Sequence, residues 1–188
     1  NAVRLRVQGE ALNQTDYDVF QILLVASAVC EIEAGSRFHF TRYSLMKVLG
    51  WPDRGRYYHR LDESLTRLAS FVIDLEIQPC KTYPQGWRFN GSLIQLGRDG
   101  LRTDESMKNS LVRVNMHEEL RGFFMSGTYH MENLEQRRNL GKNQLAKALH
   151  AFYSSHLSPL PIALGTLQAV VGASDQLPKH FKQQIKKA

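Results

Sequence analysis

The chain has 188 residues, enough for one large or two small domains, and its apolar content of 43% is that of an ordinary globular protein. No apolar run approaches membrane-spanning length, Asn1-Ala-Val-Arg-Leu-Arg-Val has neither signal-peptide nor transit-peptide character, and Cys30 and Cys80 are too few for a disulfide framework or a zinc site. The net charge of +6 is unevenly placed: from Lys142 onward there are six lysines, no arginine and one acid, Asp175, on an otherwise near-neutral body, which points either to an anionic partner or to a solvated lysine face. The absence of an initiator Met leads us to expect a piece of a longer protein.

In chain order, Thr15 reads as a helix cap, with Asp16 and Asp18 in the first turn and Val19, Ile22, Leu23, Ala26 and Cys30 on one apolar stripe ending at Gly35. Arg37 to Phe40 reads as a short strand. Thr41 caps a second helix that buries Leu45, Val48 and Leu49 and stops at Gly50. After the turn Trp51 to Gly55, a third helix places Tyr58, Leu61, Leu65 and Leu68 inward. Period two then begins: Ile73, Leu75 and Ile77 alternate with Asp74, Glu76 and Gln78, and Trp87-Arg88-Phe89 returns after a loop. Two strands after a third helix form the wing of a winged helix. Ser92 to Leu96 and Leu111 to Met116 read as further strands around a polar loop from Gly97 to Asn109, with Gly97 to Gly100 as a turn. Asn115 and Glu118 fit a capping box for a helix running to Phe124.

Met125 to Thr128 reads as a domain boundary, and Tyr129 to Leu140 as a polar connector. Leu145, Ala148, Leu149 and Phe152 then repeat the stripe of the first helix. Pro159 and Pro161 hold an extended link, a helix runs from about Thr166 to Val171, and another begins near Pro178.

The chain thus repeats itself. Phe38, Phe40, Leu45, Val48, Leu49 and Gly50 map onto Leu160, Ile162, Leu167, Val170, Val171 and Gly172 at a constant offset of 122. In the following segments Tyr57, Leu61 and Ser64 match Phe181, Ile185 and Ala188, read as inward. The expected fold class is α+β, with two tandem winged-helix (helix-turn-helix) domains. The N-terminal one spans 1–127 with an enlarged sheet, a connector spans 128–141, and an incomplete C-terminal one spans 142–188, its wing missing.

The last helix turns Phe181 and Ile185 inward and a basic row outward. Gln176, Lys179, His180, Lys182, Gln183, Lys186 and Lys187 are the candidate base-reading residues, because lysine attracts phosphate and can read guanine while glutamine can bond an adenine edge. The third helix of the first domain mixes Arg54, Arg56, His59, Arg60 and Arg67 with Asp62 and Glu63. Two carboxylates in mid-helix repel phosphate, so Arg54, Arg56 and Arg60, with Lys81 and Arg88 on the wing, are expected to grip a DNA backbone; a salt-bridged solvent face is the competing reading. Enzyme signatures are missing. There is no phosphate-binding Gly-x4-Gly-Lys-Ser/Thr loop and no His-x-His pair, His117-Glu118-Glu119 lacks a second zinc-binding His, and Tyr58 of Tyr57-Tyr58-His59 falls on the buried stripe. No catalytic residue, metal or cofactor is expected.

Leu12-Asn-Gln-Thr-Asp-Tyr-Asp-Val19, Ser64-Leu-Thr-Arg-Leu68, Gly91-Ser-Leu-Ile94, Glu135-Gln-Arg-Arg138 and Leu149-His-Ala-Phe-Tyr-Ser-Ser-His156 resemble, in order and spacing, the TrfA family of plasmid replication initiators. The resemblance implies two winged-helix domains in the wider Rep class, acting in the bacterial cytoplasm. It implies double-stranded DNA as partner, at repeated origin sites called iterons, with the C-terminal domain in the major groove. It implies that the N-terminal domain contacts backbone and mediates homodimerisation, and that the full-length protein recruits host initiator, helicase and sliding clamp. The replisome-binding region is expected upstream of Asn1, since Gln21-Ile-Leu-Leu reads as buried helix rather than as a clamp-binding peptide. A winged-helix transcriptional repressor, or a protein-interaction module that does not bind DNA, remain alternatives on the same fold.

Overall fold

A computed structural model describes residues 3–29, 38–98, 111–125, 132–156 and 158–188. Cys30, Gly35 and most of the 97–109 loop fall outside them. The chain divides into two compact units, Asn1–Thr128 and Tyr129–Ala188. In chain order the first holds β1 (Val3–Gln8), α1 (Gln14–Val29), β2 (Phe38–Thr41), α2 (Arg42–Leu49), α3 (Gly55–Ser70), β3 (Val72–Ile77), β4 (Trp87–Ser92), β5 (Gln95–Arg98), β6 (Leu111–Asn115) and α4 (Glu118–Met125). The second holds α5 (Leu134–Asn139), α6 (Gln144–Ser154), α7 (Leu164–Val170) and α8 (Pro178–Ile185).

Asn13, not Thr15, caps α1. Its Oδ1 accepts from the Thr15 and Asp16 amides at 2.8 and 3.3 Å, and Asp16 Oδ2 accepts from the Asn13 N–H at 2.9 Å, a reciprocal box that frees the Thr15 hydroxyl for another partner. Thr41 caps α2 as expected, its Oγ1 accepting from the Ser44 amide. α2 buries Leu45, Met46 and Leu49 and leaves Val48 largely exposed, because the helix meets α3 along the Leu45–Leu49 side. α1, α2 and α3 close on one core, with Val19, Leu23, Leu61, Leu65 and Leu68 almost fully buried.

The strands form two three-stranded antiparallel sheets, ordered β1-β3-β4 and β2-β6-β5. β3 and β4 are the expected wing, Leu75 opposite Phe89; β1, unread in the sequence, pairs with the other edge of β3, Leu5 opposite Leu75. Ser92 to Leu96 is not one strand. β4 ends at Ser92, Leu93 and Ile94 enter the core, and β5 opens in the other sheet. Gly97 and Arg98 belong to β5, opposite Arg113 and Val112, rather than to a turn. Asn115 is likewise a strand residue whose amide donates to Gln95 Oε1 at 3.1 Å, and α4 starts at Glu118, three residues beyond the expected cap, the His117 carbonyl accepting from Arg121 N–H.

In the second unit Leu167, Ala173 and Phe181 are the buried centre, with Leu145, Leu149, Phe152 and Ile185 around them. Leu160 to Ile162 forms no strand. Its counterpart β2 is a strand because β6 pairs with it; among the described residues nothing pairs with Leu160 to Ile162, and Leu160 is 79% exposed. Residues 128–141, expected as a connector, include α5, whose buried Arg137 donates from Nη1 to the Lys147 carbonyl at 2.9 Å and pairs with Glu132. Ala188 is exposed beyond the end of α8 instead of facing inward, since the helix stops at Ile185.

Candidate nucleic-acid interface

The two helix-turn-helix segments share their turn in atomic detail. α2 ends at Gly50 with φ +72°, the Gly50 N–H donating to Lys47 O at 3.1 Å and Trp51 N–H to Met46 O at 2.9 Å. Past the end of α7, Gly172 is again at φ +72°, with Gly172 N–H donating to Ala169 O at 3.1 Å and Ala173 N–H to Gln168 O at 2.9 Å. Every partner is displaced by 122, so the repeat extends from apolar pattern to hydrogen bonds. Left-handed backbone at that position favours glycine, which closes the helix in a Schellman turn and reverses the chain toward the third helix.

Beyond the glycine the two units lock the turn differently. In the first, the Tyr58 hydroxyl donates to Asp53 Oδ1 at 2.7 Å. Burial, with the Asp53 carboxylate beside it, pushes the Tyr58 phenol up to about 12. In the second, the buried Gln168 amide donates to the carbonyls of Ala173 at 2.9 Å and Gln176 at 2.6 Å. Nothing in the local pattern marks Gln168. Its one sequence signal is the offset that places it on Met46, which the first unit also buries.

α8 starts with Pro178, whose missing N–H costs nothing at a helix start. Phe181 is fully buried against Leu167 and Ala173, and Ile185 is partly buried. Gln176, Lys179, His180, Lys182, Gln183, Lys186 and Lys187 are all exposed, Lys186 and Lys187 just past the last helical residue. The sequence-derived row is therefore one continuous solvent face of the turn and helix.

The cationic face of the first unit is more engaged with its own fold. Asp62, expected outward, is buried and paired with Arg42 of α2 at 2.7 Å, so Glu63 alone carries the exposed mid-helix charge. Arg67 also turns out to be a fold residue, its Nε and Nη2 donating to the two oxygens of buried Asp16 at 3.0 and 2.9 Å. This bond holds the Arg67 guanidinium above its ordinary range. Arg60 donates to Thr15 Oγ1 and lies 5.1 Å over the Trp51 ring. Arg56 lies 4.9 Å over the Tyr57 ring and Arg88 is 3.4 Å from Asp74, both exposed. Arg54, at the start of α3, and Lys81, in the wing loop, are exposed.

The whole chain matches the family model described as TrfA protein over residues 2–188. The chain belongs to the TrfA family. It is 28% identical over 154 residues to the plasmid replication initiator protein TrfA of Escherichia coli, covering 82% of this chain and 38% of that protein, so it spans well under half the length of that relative. In fold it is similar to a crystal structure of domains 2 and 3 of RctB, at a TM-score of 0.65 and 11% identity over 98% of this chain and 72% of that one. A second RctB structure of the same domains matches at 0.59 and 12%, over 97% and 70%. The α+β fold with two winged-helix domains agrees with these neighbours.

The TrfA-like motifs are mostly fold residues in this structure. Asp16 of the first motif, boxed with Asn13, pairs with Arg67 of the second; Leu93 and Ile94 of the third are core; Arg137 of the fourth anchors α5 to α6, the helix that carries the fifth. The α8 row lies outside those motifs.

Proposed function

We propose that this chain is the DNA-binding part of a plasmid replication initiator, acting by binding and not by catalysis. In this reading α8 enters the major groove of each origin iteron, and the first unit holds the backbone through Arg54, Arg56 and Lys81, with smaller contributions from Arg60 and Arg88. The observation that carries it is the contrast between two helix-turn-helix segments with the same turn. One third helix ties Arg60 and Arg67 to its own fold and exposes Glu63 at its middle, while the other presents an uninterrupted row of lysine, histidine and glutamine. Its place of action is the bacterial cytoplasm, and host replication proteins engage the longer protein.

The first unit also supports a homodimer. Val3, Leu5 and Val7 of β1 are 60%, 60% and 56% exposed on the sheet face they share with Leu75 and Phe89. Pairing the β1 edge with its own copy would set arginine opposite arginine, at Arg4 and Arg6, so the apolar face is the better contact. The decisive experiment is binding of the full-length protein to its own plasmid origin across a salt series. Tight binding to tandem repeats, with a log-log salt slope of about −0.9 per phosphate contact, is expected. Salt-independent binding, or no preference for the repeats, would remove the initiator reading.

A further inference from the structure

Leu177 joins the helix-turn-helix turn to α8, and its side chain does nothing evident for the fold. It is 65% exposed and stands outside the Leu167, Ala173 and Phe181 core. Its backbone starts the helix, the Leu177 carbonyl accepting from His180 N–H at 2.9 Å and Phe181 N–H at 3.1 Å. At this capping position a Ser, Asp or Asn side chain would satisfy a free amide; leucine makes no capping bond. The first unit treats its equivalent position alike: Arg54 precedes α3, caps nothing and is exposed. Both units thus leave this junction to a side chain that faces outward.

The surroundings of Leu177 are charged and polar. Asp175 and Gln176 precede it, Lys179 and His180 follow within one turn, and all four are exposed. Phosphate attracts Lys179, yet a branched apolar side chain beside it has only one kind of apolar target on the major-groove edge of a base pair, the C5-methyl group of thymine. We propose that Leu177 reads a thymine methyl in the iteron, setting one base of the sequence by apolar contact while its neighbours hydrogen-bond. The inference rests on α8 being the groove-reading helix.

Replacing thymine by uracil removes the methyl and keeps every hydrogen-bonding group, which isolates the contact. The full-length protein is titrated by fluorescence anisotropy against its own iteron and against iterons in which each thymine in turn is uracil. One position is expected to weaken wild-type binding about three- to fivefold, the value of one buried carbon. Leu177→Ala is expected to lose the same factor on the natural site and to become indifferent to uracil at that position. Leu177→Ser separates reading from folding: it restores a capping hydroxyl, so its melting temperature is expected to stay level or rise while the thymine preference disappears. Preserved uracil sensitivity at every position in both variants overturns the inference while leaving the initiator reading intact. So does a lowered melting temperature with equal losses on thymine and uracil sites. Failure of the wild-type protein to prefer iterons over random DNA defeats both.

Discussion

Two aromatic residues, Tyr58 and Phe181, occupy the inner face of the two third helices and make different demands. Tyr58 must keep its proton to donate to Asp53, and its folded value is raised from 10.0 to about 12. The stability it contributes is present below the unfolded value of 10.0 and is lost as pH rises through the folded one. Urea titrations at increasing alkaline pH are expected to show wild type losing stability faster than Tyr58→Phe; parallel curves would disprove the bond's contribution. Phe181 has no polar duty. Phe181→Ala is expected to cost about 3–5 kcal/mol of unfolding free energy, because the cavity opens in a cluster with few buried residues. Gln183→Ala, fully outside that cluster, is expected to leave the melt unchanged and to cost roughly 1–3 kcal/mol of discrimination at one base position. A melted domain with Gln183→Ala would reverse the assignment of inner and outer faces.

The turn is the element on which the repeat depends. Gly50 and Gly172 share one dihedral because each must terminate a helix and release the chain in the same direction. A Cβ at Gly172 would meet nothing within 4 Å, so Gly172→Ala tests conformation without collision. It is expected to cost about 1–2 kcal/mol, the left-handed penalty of a single residue. Gln168→Met places the first unit's residue in the second unit's turn. It removes the donors to the Ala173 and Gln176 carbonyls, and is expected to destabilise by about 1–3 kcal/mol and to raise hydrogen exchange across 173–177. Unchanged exchange would mean that Pro178 and the Schellman bonds hold the turn unaided.

At the scale of the molecule, charge is divided by availability more than by number. Arg60 and Arg67 count toward the formal charge but are bound to Thr15 and Asp16, whereas the α8 lysines face solvent. Removing Lys179, Lys182 and Lys186 together in the full-length protein is therefore expected to flatten the salt slope by roughly one unit per lost phosphate contact, more than removing Arg54 and Lys81. Arg54→Ala and Arg56→Ala are expected to weaken specific and random DNA about equally. Loss of iteron discrimination with an intact slope would assign base reading to the first unit instead.

The sequence by itself determined what depends on spacing along one helix or across one turn. Apolar periodicity located Leu61, Leu65 and Leu68, the offset of 122 located both Schellman glycines, and helical geometry separated Phe181 from Lys179 and Gln183. Tertiary structure decided what depends on a distant partner. β1 is a strand because β3 lies beside it, while Leu160 to Ile162, its pattern copied from β2, has no partner strand among the described residues. Asp62 lies on the buried stripe of α3, four residues after Tyr58, where its charge argues for solvent, and Arg67 lies on the far side of the wheel. Each is instead drawn inward by an opposite charge on a neighbouring helix, Arg42 and Asp16, because a buried charge is tolerable only where its counter-ion is within bonding distance.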